Sequence, residues 1–405
     1  MTRPTCETQE NVSHRRSIIA RLLPLNLVIF LGFMTVSLPL PVLPLYARAA
    51  FGSSALMVGL LVGIQSIATV LTRPYAGRFA DAKGARAATL IGLLVCIAAG
   101  ALYLVSTASP LGLCVLFIGR ITLGLGESLI LTGAITWGIA RVGPAHAGKV
   151  MSWNGIAMYA ALAAGAPAGL FVYQQFATPT QGFLALGALS VALPCIALAC
   201  TIPLAGSTIP GIDAEQSAPV LRRIWPFGIA LMFLMAGYGA IAAFYSLYFE
   251  ALGWHNAGFG FAGFGIAVIA VRIAFGHLPD RLGGLPVAFA SIATATVGQA
   301  LIWCAPTSAV AIAGATLTGA GVALGFPALG VEALARVPGG SKGMVIALFS
   351  AFQDLAFGLT GPVAGLVMLS LDSGNATAFA LATLTATAAF LLLLLTNRSI
   401  NSRPQ

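Results

Sequence analysis

A short charged segment that occurs twice, each time between two long apolar runs, constrains this chain more than any other feature. The first copy covers residues 77–86 and the second covers residues 276–284. Asp81 and Asp280 match at an offset of 199 residues, about half of the 405-residue chain. The other residues that match at this offset are Gly77 with Gly276, Gly84 with Gly283, and Arg73 with Arg272. A duplicated membrane protein is therefore predicted, in which each polar residue either has a counterpart in the other half or lacks one.

The composition places both copies of this segment in a membrane. Hydrophobic residues make up 59% of the chain and charged residues 8%, whereas a soluble domain carries about 25% charged residues. Twelve apolar runs are each close to the ~20 residues that a spanning helix needs. We expect spans at Leu22–Ala47, Leu56–Phe79, Ala87–Thr107, Leu111–Ala140, Gly148–Tyr173, Gln181–Pro203, Ile224–Glu250, Ala257–His277, Leu285–Cys304, Ala309–Leu334, Met344–Ser370 and Asn375–Thr396. The predicted fold is an all-α membrane protein with twelve transmembrane helices in two pseudo-symmetric six-helix halves.

The distribution of positive charge predicts the orientation. The net charge is +9, but the Lys and Arg residues outside the spans fall almost entirely on one side, with only Arg48 in the outer loops. By the positive-inside rule both termini are cytoplasmic, and we expect a multi-pass protein of the bacterial inner membrane, surrounded by lipid and without a nucleic-acid partner. The predicted division is a tail over 1–21, a six-helix half over 22–203, a cytoplasmic loop over 204–223, a second half over 224–396 and a tail over 397–405.

The repeat continues into the helices. Residues 124–126 match 319–321 at an offset of 195, and residues 165–170 match 361–366 at an offset of 196. Two parallel halves predict a substrate path at their shared interface. No HExxH, GxSxG or Walker loop is evident in the sequence, so a gradient supplies the energy in this interpretation, and a polytopic membrane enzyme is the disfavoured alternative. We expect no cofactor and no metal.

On these motifs the chain resembles the major facilitator superfamily, in particular its twelve-helix proton-coupled efflux branch and the YhhS-type arabinose or drug efflux permeases. The resemblance is carried by the two loop copies, residues 119–126, residues 153–155 and the Gly165/Pro167/Gly169 cluster. It implies a monomeric antiporter that exchanges protons for a small organic molecule (drug, sugar or metabolite) and exports it by alternating access. A facilitator or a proton symporter for a small polar metabolite stays open as the alternative.

The first loop copy predicts a gate at the cytoplasmic side. Asp81 ends the second span, and the free amides at the start of the eleventh span, near Lys342, face the same side. A carboxylate gains roughly 0.3–2 kcal/mol at such a helix start, and the resemblance implies that this contact closes the cytoplasmic side. Gly77 would allow close helix approach and Gly84 the tight turn.

Basic residues around the gate complete the prediction. Arg73 and Arg86, with Arg78, are expected to pair with Asp81. In the second copy Asp280 would face Lys149, and Pro279 is a departure from the first copy. A charged loop that only orients the protein in the membrane is the alternative interpretation.

Arg120 lies roughly ten residues into the fourth span, ~14 Å deep and close to the middle of a ~30 Å core. An arginine at this depth is costly and marks a functional site unless backbone carbonyls satisfy it. Its counterpart in the second half is Ala315. Glu127 follows two turns later on the same helix face. We expect Arg120 and Glu127 to take part in proton coupling or substrate binding, with an interfacial acid as the alternative for Glu127.

Asp354 is the second candidate proton carrier, since it lies about eleven residues into its span. With Gln353, and with Gln65 and Asn154 from the other half, it is expected to form a polar site between the halves. The first span contains no carboxylate, although many drug antiporters of this type carry one there. Either Asp354 or Glu127 replaces it, or the substrate is neutral or anionic.

Aromatic and small residues supply two further predictions. Tyr46 and Tyr245 match at the offset of 199 and are expected on the substrate path, within a wider set completed by Tyr159, Tyr238, Phe244 and Tyr248. Tyrosine near a span end also marks the lipid–water interface, so that alternative stays open. The expected kink positions are Gly165, Pro167, Gly169, Gly361 and Pro362, although proline in a membrane helix also serves plain packing.

Overall fold

The computed structural model describes residues 6–143, 146–205, 217–337 and 342–401. Within these ranges the regular elements are helices. In chain order they are α1 (Cys6–Ser37), α2 (Leu43–Phe51), α3 (Ala55–Lys83), α4 (Ala85–Ala108), α5 (Gly112–Val142), α6 (Ala147–Gln174), α7 (Pro179–Thr201), α8 (Ser217–Ala251), α9 (Ala257–Phe275), α10 (Leu278–Leu282), α11 (Gly284–Trp303), α12 (Ser308–Ala335), α13 (Lys342–Leu371) and α14 (Ala376–Asn401).

The predicted membrane fold is confirmed. Of the helices in the described ranges, 11 are long and apolar enough to span a bilayer, and α1 adds a shorter apolar stretch over Arg21–Ser37. The helices α1 to α7 form the first half and α8 to α14 the second. Large apolar side chains such as Leu71, Phe171 and Ile273 remain exposed, as expected of helices whose outer faces contact lipid chains rather than water.

The first span differs from its predicted bounds at both ends. Its helix begins at Cys6 rather than Leu22 and ends at Ser37 rather than Ala47. Pro39 and Pro41 explain the early end, because proline lacks an amide donor and disfavours helical geometry in the preceding residue. The chain resumes as α2. Residues 1–5, 206–216 and 402–405 of the predicted tails and central loop lie outside the described residues.

The two loop copies share a turn but not a helix. Gly84 and Gly283 have φ values of 93° and 86°, a region open to glycine and strained for other residues. The turn predicted at Gly84 is therefore present, and Gly283 has the same backbone conformation in the second copy. In the first copy α3 continues to Lys83. In the second copy the helix stops at Phe275 and restarts as the short α10, with Pro279 in its first turn.

The halves meet along two pairs of helices, α3 with α13 and α6 with α9. We call the end of the bundle that carries Gly84 and Gly283 the loop end, and the other end the opposite end. Toward the opposite end a Cβ added to Gly59 would overlap the carbonyl of Gly361, and one added to Gly258 would meet Pro167. Small residues allow this close approach, because lipid supplies no hydrophobic force between helices. The halves are therefore tightly packed at the opposite end.

Candidate functional site

A cavity with about 730 Å³ of space free of protein atoms, part of which is open to the surroundings, lies between the two halves. Helices α1, α3, α5 and α6 contribute from the first half, and α8 and α13 from the second. Its lining is Phe33, Val36, Ser37, Leu40, Val62, Gln65, Ser66, Arg120, Glu127, Met158, Tyr159, Leu162, Tyr238, Gly239, Ala242, Gln353 and Phe357. An apolar and aromatic wall with a few convergent polar groups is the usual form of a small-molecule site. We call this space the central cavity.

Arg120 lies in the central cavity wall with 1% of its surface exposed. Its Nε donates to the carbonyl of Leu61 at 3.2 Å and its Nη2 donates to the carbonyl of Val62 at 3.0 Å. The alternative that backbone carbonyls satisfy this arginine is therefore confirmed, and its role in transport stays a prediction. Backbone carbonyls of α3 hold the guanidinium, and the same side chain brings a positive charge to the cavity, because arginine stays protonated in proteins.

Glu127 lies in the same wall, two turns from Arg120 as the helical spacing predicts. Gln65 donates from Nε2 to Glu127 Oε2 at 2.8 Å, and the hydroxyl of Thr69 donates to the same oxygen at 3.3 Å. Both partners lie on α3, in the same half as Glu127. The carboxylate is therefore fixed within the first half. Thr69 was not predicted, because a threonine on a membrane helix usually bonds only to its own backbone.

Asp354 forms an ion pair across the interface between the halves. Its Oδ2 lies 2.7 Å from Nη2 of Arg73 on α3, and 26% of the Arg73 side chain and 14% of the Asp354 side chain are exposed. The expected Arg73–Asp81 pair is wrong for this conformation, because the long side chain reaches into the protein instead of toward the loop. Gln353, the neighbour of Asp354, lines the central cavity. Asn154 is buried but lies outside the cavity lining.

The loop residues have different partners from those predicted. Asp81 is exposed, and Arg86 donates from Nη2 to the carbonyl of Ile202 at the end of α7, at 2.7 Å. Gly77 has open space where its Cβ would stand, so the close helix approach predicted for it is wrong here. The side chains of residues 342–344 lie outside the described part of the structure. The contact of Asp81 with the start of α13 stays a prediction for another conformation.

The second copy places its arginine differently. Arg272 donates from Nε to the carbonyl of Ala323 at 3.1 Å, within its own half. Its guanidinium carbon lies 4.9 Å from the ring centroid of Tyr159 on α6, across the interface. Asp280 is exposed, and Gly276 directly follows the end of α9.

The aromatic prediction is correct for two residues of the wider set and wrong for Tyr46 and Tyr245, and Phe244 and Tyr248 also lie outside the cavity lining. Tyr159 and Tyr238 line the central cavity. Tyr46 stacks on Phe183 with centroids 4.0 Å apart, and Tyr245 packs edge-on against Phe261 at 5.6 Å. Tyr46 and Tyr245 are buried in these aromatic clusters and lie outside the cavity lining. Their match at the repeat offset of 199 therefore reflects similar packing in the two halves.

The small residues of the predicted kinks are used for helix contacts. A Cβ on Gly165 would meet Ser37 on α1, and one on Gly169 would overlap the backbone of Leu38. Gly361 and its neighbour Pro362 lie against Gly59 and Gly63 across the interface. The helices α6 and α13 continue through Pro167 and Pro362. In the described part of the chain no three His, Cys, Asp or Glu side chains converge as a metal site requires.

Comparison with known proteins agrees with this architecture. The family model described as the Major Facilitator Superfamily matches residues 25–284. An uncharacterized MFS-type transporter of Salmonella typhimurium is 44% identical over 351 residues, which cover 85% of this chain and 88% of the relative. A bacterial homologue of the human lysosomal transporter Spinster, solved in an inward-facing and occupied conformation, has a TM-score of 0.74 at 13% identity, covering 96% of this chain and 98% of its own. A D-xylose-proton symporter gives a TM-score of 0.72 at 16% identity, covering 94% and 97%.

Proposed function

This chain belongs to the major facilitator superfamily of membrane transporters, and we propose that it is a proton-coupled antiporter that exports a small polar organic molecule by alternating access. The observation that carries the proposal is the Arg73–Asp354 ion pair, which joins the two halves beside the central cavity. A charged pair across a moving interface changes strength when its acid takes up a proton, so it can link protonation to movement of the halves.

Asp354 is better placed than Glu127 to control that movement. Its partner Arg73 lies on the other half, whereas the Glu127 partners Gln65 and Thr69 lie on the same half as Glu127. Protonation of Asp354 removes an attraction between the halves. Protonation of Glu127 changes the charge of the cavity wall instead. We therefore assign conformational coupling to Asp354 and substrate or proton binding to Glu127.

The tight packing at the opposite end supports a conformation that opens toward the loop end, which the positive-inside rule places in the cytoplasm. In the proposed cycle substrate enters the central cavity from that side. The substrate leaves in the alternate conformation, which is open to the outside and in which Asp354 takes up a proton from that side. On the return the proton is released to the cytoplasm, and the ion pair between Asp354 and Arg73 forms again and stabilises the conformation open at the loop end. In the alternate conformation Asp81 would bind the start of α13 and close the loop end.

The cavity wall supports a neutral, polyhydroxylated or anionic substrate. Arg120 supplies a positive charge, while Gln65 and Glu127 supply hydrogen-bonding groups. From α1 the lining residues are Phe33, Val36 and Ser37, and Leu40 follows just after this helix, so the acid that many drug antiporters carry in this span is missing. Tyr159 and Tyr238 add flat faces that suit a sugar ring or an aromatic anion. The Gly165/Pro167/Gly169 cluster supports export over uptake, and a proton symporter or facilitator is the alternative.

Transport into proteoliposomes tests the proposal. The full chain is reconstituted with an imposed pH gradient and offered a panel of radiolabelled sugars, organic anions and amphipathic cations. We expect gradient-dependent movement of a sugar or an organic anion against the proton flow. In Asp354→Asn this dependence should disappear while passive exchange continues, because the neutral residue no longer responds to protons. In Glu127→Gln we expect weaker substrate binding, seen as a raised KM.

Glu250→Gln is the matched control, since Glu250 is an exposed acid at the opposite end. It should transport as the wild type does. Equal transport with and without the gradient in the wild type would replace the antiporter with a facilitator. Movement of substrate in the same direction as protons would replace it with a symporter.

A further inference from the structure

A second cavity opens on the outer face of the second half, with about 780 Å³ of space free of protein atoms, part of which is open to the surroundings. We call it the lateral pocket. Helices α9 to α12 surround it at the loop end, and its lining includes Phe275, Leu278, Leu282, Val287, Thr294 and Ala320. Phe275 and Leu282 of this lining are exposed apolar side chains. In a membrane-spanning protein such side chains contact lipid, so lipid surrounds the mouth of the pocket.

The equivalent place in the first half is filled by protein. There Ala76, Ala80, Ala88 and Leu129 form a buried cluster, against which Leu125 packs. The unbroken α3 supplies part of this cluster. In the second half the helix stops at Phe275 and restarts as α10, and Ala320 stands where the repeat places Leu125 in the first half. The break in the helix and the smaller side chain of Ala320 both lie at the lateral pocket of the second half.

The pocket has the length of one lipid leaflet. It runs from α10, beside the Gly283 turn, to Thr294 on α11. Thr294 lies ten residues after Gly284, which is about 15 Å along a helix and half of a ~30 Å hydrocarbon core. An acyl chain anchored at the loop end would therefore reach the inner limit of the pocket without crossing the bilayer midplane.

A positive charge stands at the shallow end. Arg281 is exposed on α10, between Leu278 and Leu282 of the pocket wall. Asp280 is also exposed there, so the local charge is mixed. A lipid with a single phosphate, bound by Arg281 alone, fits this charge better than a lipid with a highly charged headgroup. Arginine binds phosphate oxygens through paired N–H donors.

From the open pocket, its length and this charge we infer that the lateral pocket binds one acyl chain of a phospholipid from the leaflet at the loop end. The phosphate of that lipid binds Arg281. The site is separate from the central cavity and does not depend on the proposed transport function. A resident lipid would fill in the second half the volume that side chains of α3 and α5 fill in the first half.

Lipid retention by the full chain tests the inference. The protein in detergent is titrated with dipalmitoyl phosphatidylglycerol and examined by native mass spectrometry. We expect one tightly retained lipid in the wild type and its loss in Ala320→Leu, which fills the pocket with the side chain found in the first half. Arg281→Gln should weaken retention about fivefold, as expected for one basic residue near a lipid phosphate.

Two matched controls separate the pocket from general lipid contact. Ala313→Leu adds the same atoms at an exposed position of α12, and Arg48→Gln removes an exposed arginine at the opposite end; both should retain lipid as the wild type does. A diazirine on the acyl chain of the phosphatidylglycerol should cross-link to α10–α12 in the wild type. This experiment uses only the wild-type protein, so it does not depend on whether a variant folds. Equal retention in the wild type and Ala320→Leu, or cross-links spread over the whole outer surface, would overturn the inference.

Discussion

The repeat aligns Arg73 with Arg272, and both side chains contact the other half of the protein. Arg73 contacts a carboxylate there, whereas Arg272 contacts an aromatic ring. Arg73 on α3 pairs with the carboxylate of Asp354 at 2.7 Å. Arg272 on α9 lies over the ring of Tyr159 at 4.9 Å and is also held by the carbonyl of Ala323 in its own half. In the proposed function the first contact weakens when Asp354 takes up a proton, whereas the second contact contains no carboxylate. The duplication therefore supplies two matched arginines at the interface, of which Arg73 pairs with an acid and Arg272 with an aromatic ring.

The largest difference between the two contacts should appear when each arginine is removed. Arg73→Gln leaves the carboxylate of Asp354 without a partner at a mostly buried position. We expect the free energy of unfolding to fall by about 2–3 kcal/mol, somewhat less than for a fully buried pair. Thermal unfolding in detergent measures it.

A double variant shows whether the pair causes this loss. Arg73→Gln combined with Asp354→Asn removes both charges, and we expect it to regain most of the stability that the single variant loses. Additive losses in the double variant would show that the two side chains act independently.

The loop turns should be the next most sensitive positions, and here the halves should agree. Gly84→Ala and Gly283→Ala each place a side chain where φ is near 90°, at a cost of about 1–3 kcal/mol. Thermal unfolding of the two variants, compared with Gly77→Ala, checks this. Gly77 has open space around it and a helical backbone, so its variant should be as stable as the wild type or slightly more stable. A loss in only one of the turn variants would break the equivalence of the two copies.

Loss of the second arginine should matter less than loss of the first. Arg272→Gln removes a cation–π contact worth about 0.5–2 kcal/mol, while no charge is left without a partner. We expect a stability loss near 1 kcal/mol by thermal unfolding and an unchanged dependence of transport on the pH gradient. If Arg272→Gln abolishes that dependence, the assignment of proton coupling to one side of the interface is wrong.

The smallest effect is expected at a contact found in the second half alone. Glu332 accepts a hydrogen bond from the amide of Leu285 at the start of α11, at 3.1 Å, and at the repeat offset of 195 the first half has Trp137. Glu332→Gln keeps an acceptor but loses the negative charge that favours a helix start, at a cost of about 0.3–1 kcal/mol. Trp137→Phe, which removes the hydrogen bond to the carbonyl of Ala205, is the comparison in the first half.

Local features of the sequence were enough to predict much of the fold and part of the site. Arg120 and Glu127 meet in one wall because helical periodicity sets which side chains share a face. The turn at Gly84 follows from a glycine at the end of its helix, and the matched Gly283 adopts the same conformation. Both predictions depend on neighbours within a few residues or within one helix.

The pairing of Arg73 with Asp354 could not be predicted from the sequence, because it depends on how two helices that are distant in the chain pack. Both residues were recognised as polar groups within or near spans, but nothing local indicates that α3 lies against α13 at that height. Tyr46 and Tyr245 are a second case in which the sequence did not predict the contacts. Their matched positions report a repeated packing arrangement, while Tyr159 and Tyr238, which line the cavity, have no special spacing.

The distance across the opposite end tests the central claim most directly. Spin labels at Gln174 and His255, exposed residues near the ends of α6 and α9, report this distance in a background without native cysteines. We predict that lowering the pH lengthens it in the wild type, because protonation of Asp354 weakens the conformation held by Arg73. In Asp354→Asn the long distance should be populated at every pH. A pH response in Asp354→Asn equal to that of the wild type would contradict the account.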